Sequence, residues 1–229
     1  FPGEEVFDTE PESHITVQTR RRKFMTRSVL MTTGATHRHL NVPGETRLNG
    51  HGISYCATCD GQLFKGRKVI IIGGGNSAAT EALYLKNVGV DVTMVHRRDT
   101  LKAQDVLIQN IIQNNIPILF NTEVSEIKGR HTVESVVLFN NKKKETSTLL
   151  VDGVFLAIGY DPSNQLAAKT GIELTEEGYI KHENYRTNIP GIYTAGDVAG
   201  GYKQIVTAAG HGAEAAIVIF EDLINPYWK

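Results

Sequence analysis

Cysteine is scarce: the 229 residues contain two, Cys56 and Cys59. That excludes a disulfide-dense scaffold. No second Cys-x-x-Cys supplies the rest of the about four ligands that a structural zinc site needs, so no metal is expected. No apolar run is long enough to span a bilayer. No signal-peptide pattern opens the chain, so a cytoplasmic, non-membrane protein is expected. Neither charge sign is in excess: 24 Lys and Arg stand against 25 Asp and Glu, a net charge of −1. Electrostatics therefore gives no reason to expect nucleic acid or an anionic membrane as partner. The one basic run, Arg20-Arg21-Arg22-Lys23, lies between two short alternating stretches and reads as a solvated hairpin turn. Internal repeats and low-complexity segments are lacking. So is an initiator Met: the chain starts at Phe1, and its first stretch reads as the middle of a fold. A missing upstream segment is therefore expected.

What is present reads as globular, with 41% hydrophobic and 21% charged residues. The length suits one large domain or two smaller ones. The cysteines stand together in "SYCATCDG", Ser54 to Gly61. As a structural staple the pair is weak, because a cross-link between residues this close removes little chain entropy. The remaining reading is a redox dithiol, in which one thiolate attacks a disulfide and the other resolves the mixed disulfide. Asp60 fits the proton transfer that such exchange requires. A turn residue before Gly61 explains it equally well.

Downstream, "KVIIIGGGNSAATEALYLKNVGVDVTMVHRRD" runs from Lys68 to Asp99. Val69–Ile72 is an apolar, β-branched run suited to a buried parallel strand. Gly73-Gly74-Gly75-Asn76-Ser77-Ala78 follows at once and matches the dinucleotide fingerprint GxGxxG/A. Gly73 suits the tight turn, Gly75 the approach of a pyrophosphate, and Ala78 close helix–strand packing. A helix over Ala78–Asn87, a stop at Gly89 and a strand over Val90–Val95 complete the unit. That second strand ends in His96-Arg97-Arg98, with Lys102 shortly after, where an NAD site would place an acidic residue. Guanidinium groups there suit a 2′-phosphate, so NADP(H) is expected. The alternative is a solvated basic turn. A hydride carrier and a disulfide exchange electrons through an intermediary, commonly a flavin.

"CATCDG", "GGGNSAATEALYL", "HRRD" and "AGDV…YKQ", in that order, resemble the low-molecular-weight thioredoxin reductases, and the resemblance covers nearly all of the chain. It implies FAD, NADP(H) and a redox-active Cys56–Cys59 pair. Cys59 would face the flavin and Asp60 would act as acid and base. Which cysteine attacks the acceptor stays open. Arg97, Arg98 and Lys102 match the family's 2′-phosphate cluster, where Lys102 stands in a place usually held by Arg. Ile158 and Gly159 match a segment lining the nicotinamide. On the flavin side the matches are Thr33 and Gly34, then Gly196 and Asp197, then Lys203, Gln204 and Ile205. Asp197 would hold the ribityl chain, and a helix from Thr207 onward, opening with small residues, would bring its backbone amides to the ligand. Thioredoxin or a similar small dithiol protein is the implied partner, and a homodimer the implied assembly.

The implied fold is α/β with two Rossmann-like, three-layer nucleotide-binding domains, the NADPH domain inserted into the FAD domain. Residues 1–41 would be a remnant of the FAD domain, 42–169 the NADPH-binding domain with the dithiol, and 170–229 the rest of the FAD domain. The family's own first strand–GxGxxG–helix has no counterpart here, so the FAD domain is expected to be incomplete at its N-terminus. Within 42–169, a helix is expected over Gln104–Gln113 and strands over Ile118–Ile127, Val133–Phe139 and Ser147–Leu156. The two glycine-containing connections between the domains suggest a hinge. Two other readings compete: a related flavoprotein reductase of a peroxide-reducing system, and an NADP-binding module whose dithiol is idle.

Overall fold

The computed structural model describes residues 14–228 in full and residues 6–11 by their backbone. The expected mid-fold start at Phe1 lies outside the described residues. In chain order the elements begin with β1 (Val6–Pro11), β2 (Ile15–Thr19), β3 (Lys23–Thr26), β4 (Val29–Met31) and β5 (Ala35–His37). Next come α1 (Glu45–Leu48), β6 (Ile53–Ser54), α2 (Ala57–Asp60), β7 (Lys68–Ile72), α3 (Asn76–Asn87), β8 (Asp91–Val95) and α4 (Asp105–Gln113). Then follow β9 (Ile118–Leu119), β10 (Thr122–Lys128), β11 (Ser135–Asn140), β12 (Glu145–Leu150) and β13 (Gly153–Leu156). The chain closes with β14 (Tyr160–Pro162), α5 (Gln165–Thr170), β15 (Ile192–Thr194) and α6 (Ile205–Ile224). The chain divides into two compact units. One is His37–Gly159; the other joins the residues up to Thr36 with those from Tyr160 onward.

The His37–Gly159 unit is built on a five-stranded sheet in the order β6-β13-β7-β8-β9, with every neighbouring pair parallel. Its central strand shows why an unbroken apolar run is needed. Val69 and Ile71 pack on one face with Ala78, Ala82 and Leu85 of α3 and Ile111 of α4. Ile70 and Ile72 pack on the other with Val124 and Ile127 of β10 and Val136 and Leu138 of β11. Helices, parallel sheet and the antiparallel sheet β10-β11-β12 thus form three layers. Ile70 and Ile71 are fully buried, a gain of about 1.5–3 kcal/mol for each such side chain.

Two expected strands each prove to be two. The Ile118–Ile127 run breaks at Asn121, whose φ of 52° turns the chain. Ile118–Leu119 stays in the parallel sheet, and Thr122–Lys128 enters the antiparallel one. The Ser147–Leu156 run breaks at Val151-Asp152, where the Asp152 carboxylate accepts the Lys68 amide at 2.8 Å. β10 alternates buried and exposed residues and β12 is almost wholly exposed, whereas β9 and β13 belong to the parallel sheet; the two halves of each run serve different sheets, so the breaks are tertiary.

In the second unit, β1, β2 and β3 form an antiparallel sheet, and the exposed Arg20–Arg22 turn links β2 to β3. The expected basic hairpin is therefore present. β4 pairs with β15 in parallel. The core gathers Ile15, Met31, Ala167, Ile172, Ile180, Ile192 and Val198. α6 is anchored by a buried polar network: Arg186 bonds both oxygens of Asp222 at 2.8 Å, and the Tyr193 hydroxyl donates to Asp222 at 2.9 Å. No helix among the described residues is long and apolar enough to cross a membrane.

Candidate functional site

The dithiol lies where β6 runs into α2. Cys56 is the N-cap of α2 and is disulfide-bonded to Cys59. The Cys59 amide donates to Cys56 Sγ at 3.2 Å. Cys59 is exposed and Cys56 half-buried. The Ser54 hydroxyl donates to Asp60 Oδ2 at 2.6 Å and accepts the Cys56 amide at 3.1 Å. Asp60 also closes the turn, its amide donating to the Cys56 carbonyl at 3.1 Å. The turn reading and a fixed carboxylate are thus compatible. Gly61 follows for want of space, because a Cβ there would stand 3.0 Å from Leu85 and 3.1 Å from Tyr84.

The Gly73–Gly75 loop caps the carboxyl end of β7. Gly73 has a φ of 152°, and a Cβ on it would collide with the Ala157 carbonyl and the Ala78 methyl. Gly74 lies against the ring of His96, leaving no room for a side chain. A Cβ on Gly75 would meet nothing within 4 Å. One side of the loop is thus packed and the other open. Helix α3 starts at Asn76, two residues before the expected Ala78, and no side chain caps it. The Asn76 side chain instead accepts the Gln104 amide at 2.8 Å, and the Lys102 amide donates to the Gly74 carbonyl at 2.7 Å. Ser77 is exposed at the first turn. An open glycine cradle over an uncapped 12-residue helix fits the pyrophosphate of a dinucleotide.

Arg97, Arg98 and Lys102 are all exposed beside this loop. Among the described residues no ion pair or hydrogen bond engages either guanidinium. His96 differs from its neighbours in being buried, and its Nε2 has no hydrogen-bond partner. Burial holds its pKa below the ordinary value, and the positive charges of Arg98 and Arg97 act in the same direction. Ile158 and Gly159 follow β13, the neighbour of β7. They lie at the same sheet end as the glycine loop, with the Ala157 amide bonded to the Ile72 carbonyl at 2.9 Å. Gly159 has a φ of 103°.

The residues matched to the flavin lie in the other unit. Thr33 and Gly34 follow β4, and Gly196 and Asp197 follow β15. Because these strands are parallel neighbours, with Met31 opposite Thr194, both turns lie at one sheet end. Carboxyl ends of parallel strands are where such sheets bind nucleotides. The Gly34 and Gly196 φ values of 79° and 75° mark both as tight turns, and Asp197 is half-buried. This pair of turns fits a sugar-bearing cofactor. Lys203 is engaged within the unit: its ammonium lies 4.2 Å from the Tyr179 ring centroid and donates to the Gly201 carbonyl at 2.8 Å. The last helix starts at Ile205, not Thr207, and Gln204 with Thr207 forms a capping box. The expected free amides at this helix start are therefore partly used. Ile205 is 89% exposed.

Three further features lie outside the residues that the sequence singles out. Ser54 is an ordinary serine two residues before Cys56 until the fold brings Asp60 back to it. A His-x-His unit, His37 and His39, flanks Tyr55. The His39 Nδ1 lies 2.9 Å from the Tyr55 hydroxyl, which donates to Glu45 at 3.1 Å. Burial raises the Glu45 pKa, but the amides of Leu40 and Asn41, then Tyr55 and His39, outweigh it and leave the carboxylate more acidic than usual. No metal-binding group of His, Cys, Asp and Glu exists among the described residues. The third feature is Glu81 on α3, a half-buried carboxyl that accepts the Ala57 amide at 3.4 Å.

The family profile of pyridine nucleotide-disulphide oxidoreductases matches residues 2–212. The chain belongs to that family. Among its members the thioredoxin reductase of Streptomyces coelicolor is 42% identical over 195 residues, covering 83% of this chain and 60% of that protein. The chain thus spans about three fifths of that relative's length. Of solved structures, the thioredoxin reductase of Lactococcus lactis is 38% identical with a TM-score of 0.71, covering 96% of this chain and 74% of that one. That of Giardia duodenalis is 32% identical with a TM-score of 0.88 and the same coverages. The mixed α/β architecture with a parallel sheet is that of these oxidoreductases.

Proposed function

We propose that this oxidoreductase is a thioredoxin-disulfide reductase that moves electrons from NADPH through FAD and the Cys56–Cys59 pair to thioredoxin or a similar small dithiol protein. One observation carries the reading: a single helix, α3, starts at an open glycine cradle and packs against the short helix that holds the disulfide. The names of the relatives support it. The His37–Gly159 unit would bind NADPH, and the unit made of the residues up to Thr36 and from Tyr160 onward would serve the flavin. A cytoplasmic homodimer is the form proposed.

In this account Gly73, Gly75, Asn76, Ser77 and Ala78 seat the pyrophosphate. Arg97, Arg98 and Lys102 hold the 2′-phosphate, with His96 packed under the loop and Ile158 and Gly159 beside the nicotinamide. Thr33, Gly34, Gly196, Asp197, Lys203, Gln204 and Ile205 serve the flavin. Bound FAD supplies the conversion of a hydride into electron pairs that a disulfide can accept. Two electrons and two protons convert Cys56–Cys59 to a dithiol. One thiolate then attacks the acceptor disulfide, the mixed disulfide is resolved by the other, and the acceptor leaves with both protons. Asp60, held by Ser54, gives and takes a proton at the sulfurs.

The test is NADPH consumption by the FAD-loaded protein with oxidised thioredoxin. Turnover that stops in Cys56→Ser and Cys59→Ser supports the reading. Turnover that survives both substitutions overturns it.

A further inference from the structure

α3 carries one acidic residue, Glu81, on a stretch that otherwise packs with small and apolar side chains. Ala78, Ala79, Ala82 and Leu85 are all fully buried. Glu81 Oε2 accepts the amide of Ala57, the residue directly after Cys56, and Ala57 is itself fully buried. The contact therefore joins the helix of the glycine cradle to the backbone of the disulfide within one compact unit. At 3.4 Å the bond is long, so it stabilises the carboxylate weakly.

We propose that Glu81 is a positioning residue for the Cys56–Cys59 pair, its carboxyl acting through the Ala57 amide so that its protonation sets how readily Cys56 becomes a thiolate. This rests on the reading that the pair cycles between disulfide and dithiol. An ionised Glu81 places a negative charge beside the backbone of Cys56, and like charges oppose each other's ionisation. A neutral Glu81 removes that opposition. The coupling is mutual: a thiolate formed on reduction drives a proton onto Glu81. Reduction to one thiol and one thiolate takes up one proton at sulfur. A second proton, taken from solvent by Glu81, keeps the site from gaining charge.

Burial pushes the Glu81 pKa up to about 7, and the Ala57 amide lowers it only in part. Its titration therefore falls where the dithiol works. Helix α3 packs against α2, the Gly61–Phe64 turn after it (which brings no titratable group), α4, β7 and β8. The titratable groups these elements bring are Cys59 and Asp60 on α2, Asp105 on α4, Lys68 on β7 and Asp91 on β8, with Tyr84 and Lys86 on α3 itself. None of them hydrogen-bonds or ion-pairs with the Glu81 carboxyl among the described residues.

The experiment is alkylation of the reduced protein by iodoacetamide between about pH 5 and 9, with Cys56 and Cys59 resolved by peptide mapping. Glu81→Gln keeps an acceptor for Ala57 but cannot ionise. The wild-type Cys56 profile is expected to carry an extra inflection from Glu81, and the variant to lose it. If the charge raises the thiol pKa by about one, the variant reacts about threefold faster near pH 7.5, since a more acidic thiol is more ionised but less nucleophilic. Superposable Cys56 profiles overturn the proposal. A second measurement covers a variant that fails to fold. The ¹³C resonance of the wild-type Glu81 carboxyl is titrated in the disulfide and dithiol states. Its midpoint should rise on reduction, and an unchanged midpoint overturns the proposal. Neither readout uses NADPH, FAD or an acceptor protein, so a failed turnover assay leaves both intact.

Discussion

The hydroxyl of Ser54 donates to Asp60 Oδ2 at 2.6 Å across the turn that contains both cysteines. Strand β6 therefore fixes the carboxylate of the short helix that follows it. Asp60→Asn should slow thiol–disulfide exchange by about a hundredfold, the low end for a lost general acid–base. Ser54→Ala should cost less in rate and about 1 kcal/mol in stability. Stopped-flow reduction of a small disulfide by the pre-reduced protein checks both. A Ser54→Ala rate below that of Asp60→Asn would show that Ser54 does more than orient its partner.

The paired guanidiniums at the end of β8 should discriminate between nicotinamide nucleotides. A charge-assisted hydrogen bond contributes about 1.5–3 kcal/mol. Arg97→Ala with Arg98→Ala should therefore weaken NADPH binding at least about tenfold and leave NADH binding unchanged. Isothermal titration of both nucleotides with both proteins is the check. Equal losses for the two nucleotides would place the arginines elsewhere than at the 2′-phosphate.

The Asp222 pair makes a stability prediction with a definite sign. The Arg186 bonds hold the Asp222 pKa down against the effect of burial, with help from Tyr193. A depressed carboxyl stabilises the fold above its unfolded pKa, and the contribution disappears as pH falls through the lower folded value. Asp222→Ala leaves Arg186 partly buried and unpaired, at a cost of about 3 kcal/mol near neutral pH. Denaturant midpoints at neutral pH and at about pH 3 should differ less in the variant than in the wild type.

Glu81 has the opposite sign. Its folded pKa of about 7 lies above its ordinary value of 4.5, so the fold holds the proton more tightly than the unfolded chain does. Its contribution to stability is complete below the ordinary value and is lost as pH rises through about 7. At about 1.4 kcal/mol for each pH unit between the two values, the loss is about 3 kcal/mol. Glu81→Gln should remove that decline in the disulfide form, measured by urea unfolding across pH.

Much of this was legible from the sequence. Val69–Ile72, the glycine fingerprint and His96-Arg97-Arg98 form a local unit whose strand, turn and helix follow from neighbouring residues. The Cys56–Cys59 spacing is local too. What stayed hidden depends on chain that returns from far away. Asn121 and Val151-Asp152 divide two expected strands because a second sheet claims half of each. The burial of His96 follows from the glycine loop lying on its ring; the start of α6 at Ile205, by contrast, is local, set by the capping box of Gln204 and Thr207. Glu81 reads as one more charged residue on a helix. Its meaning arises only when α2 docks against that helix and Ala57 needs an acceptor.

The most direct measurement of the central claim counts thiols. The protein is reduced, freed of reductant and mixed with oxidised thioredoxin, and the alkylated cysteines of each partner are counted by mass spectrometry. The account expects Cys56 and Cys59 to lose both thiols as thioredoxin gains two. Thioredoxin left oxidised beside a fully reduced Cys56–Cys59 pair would contradict it.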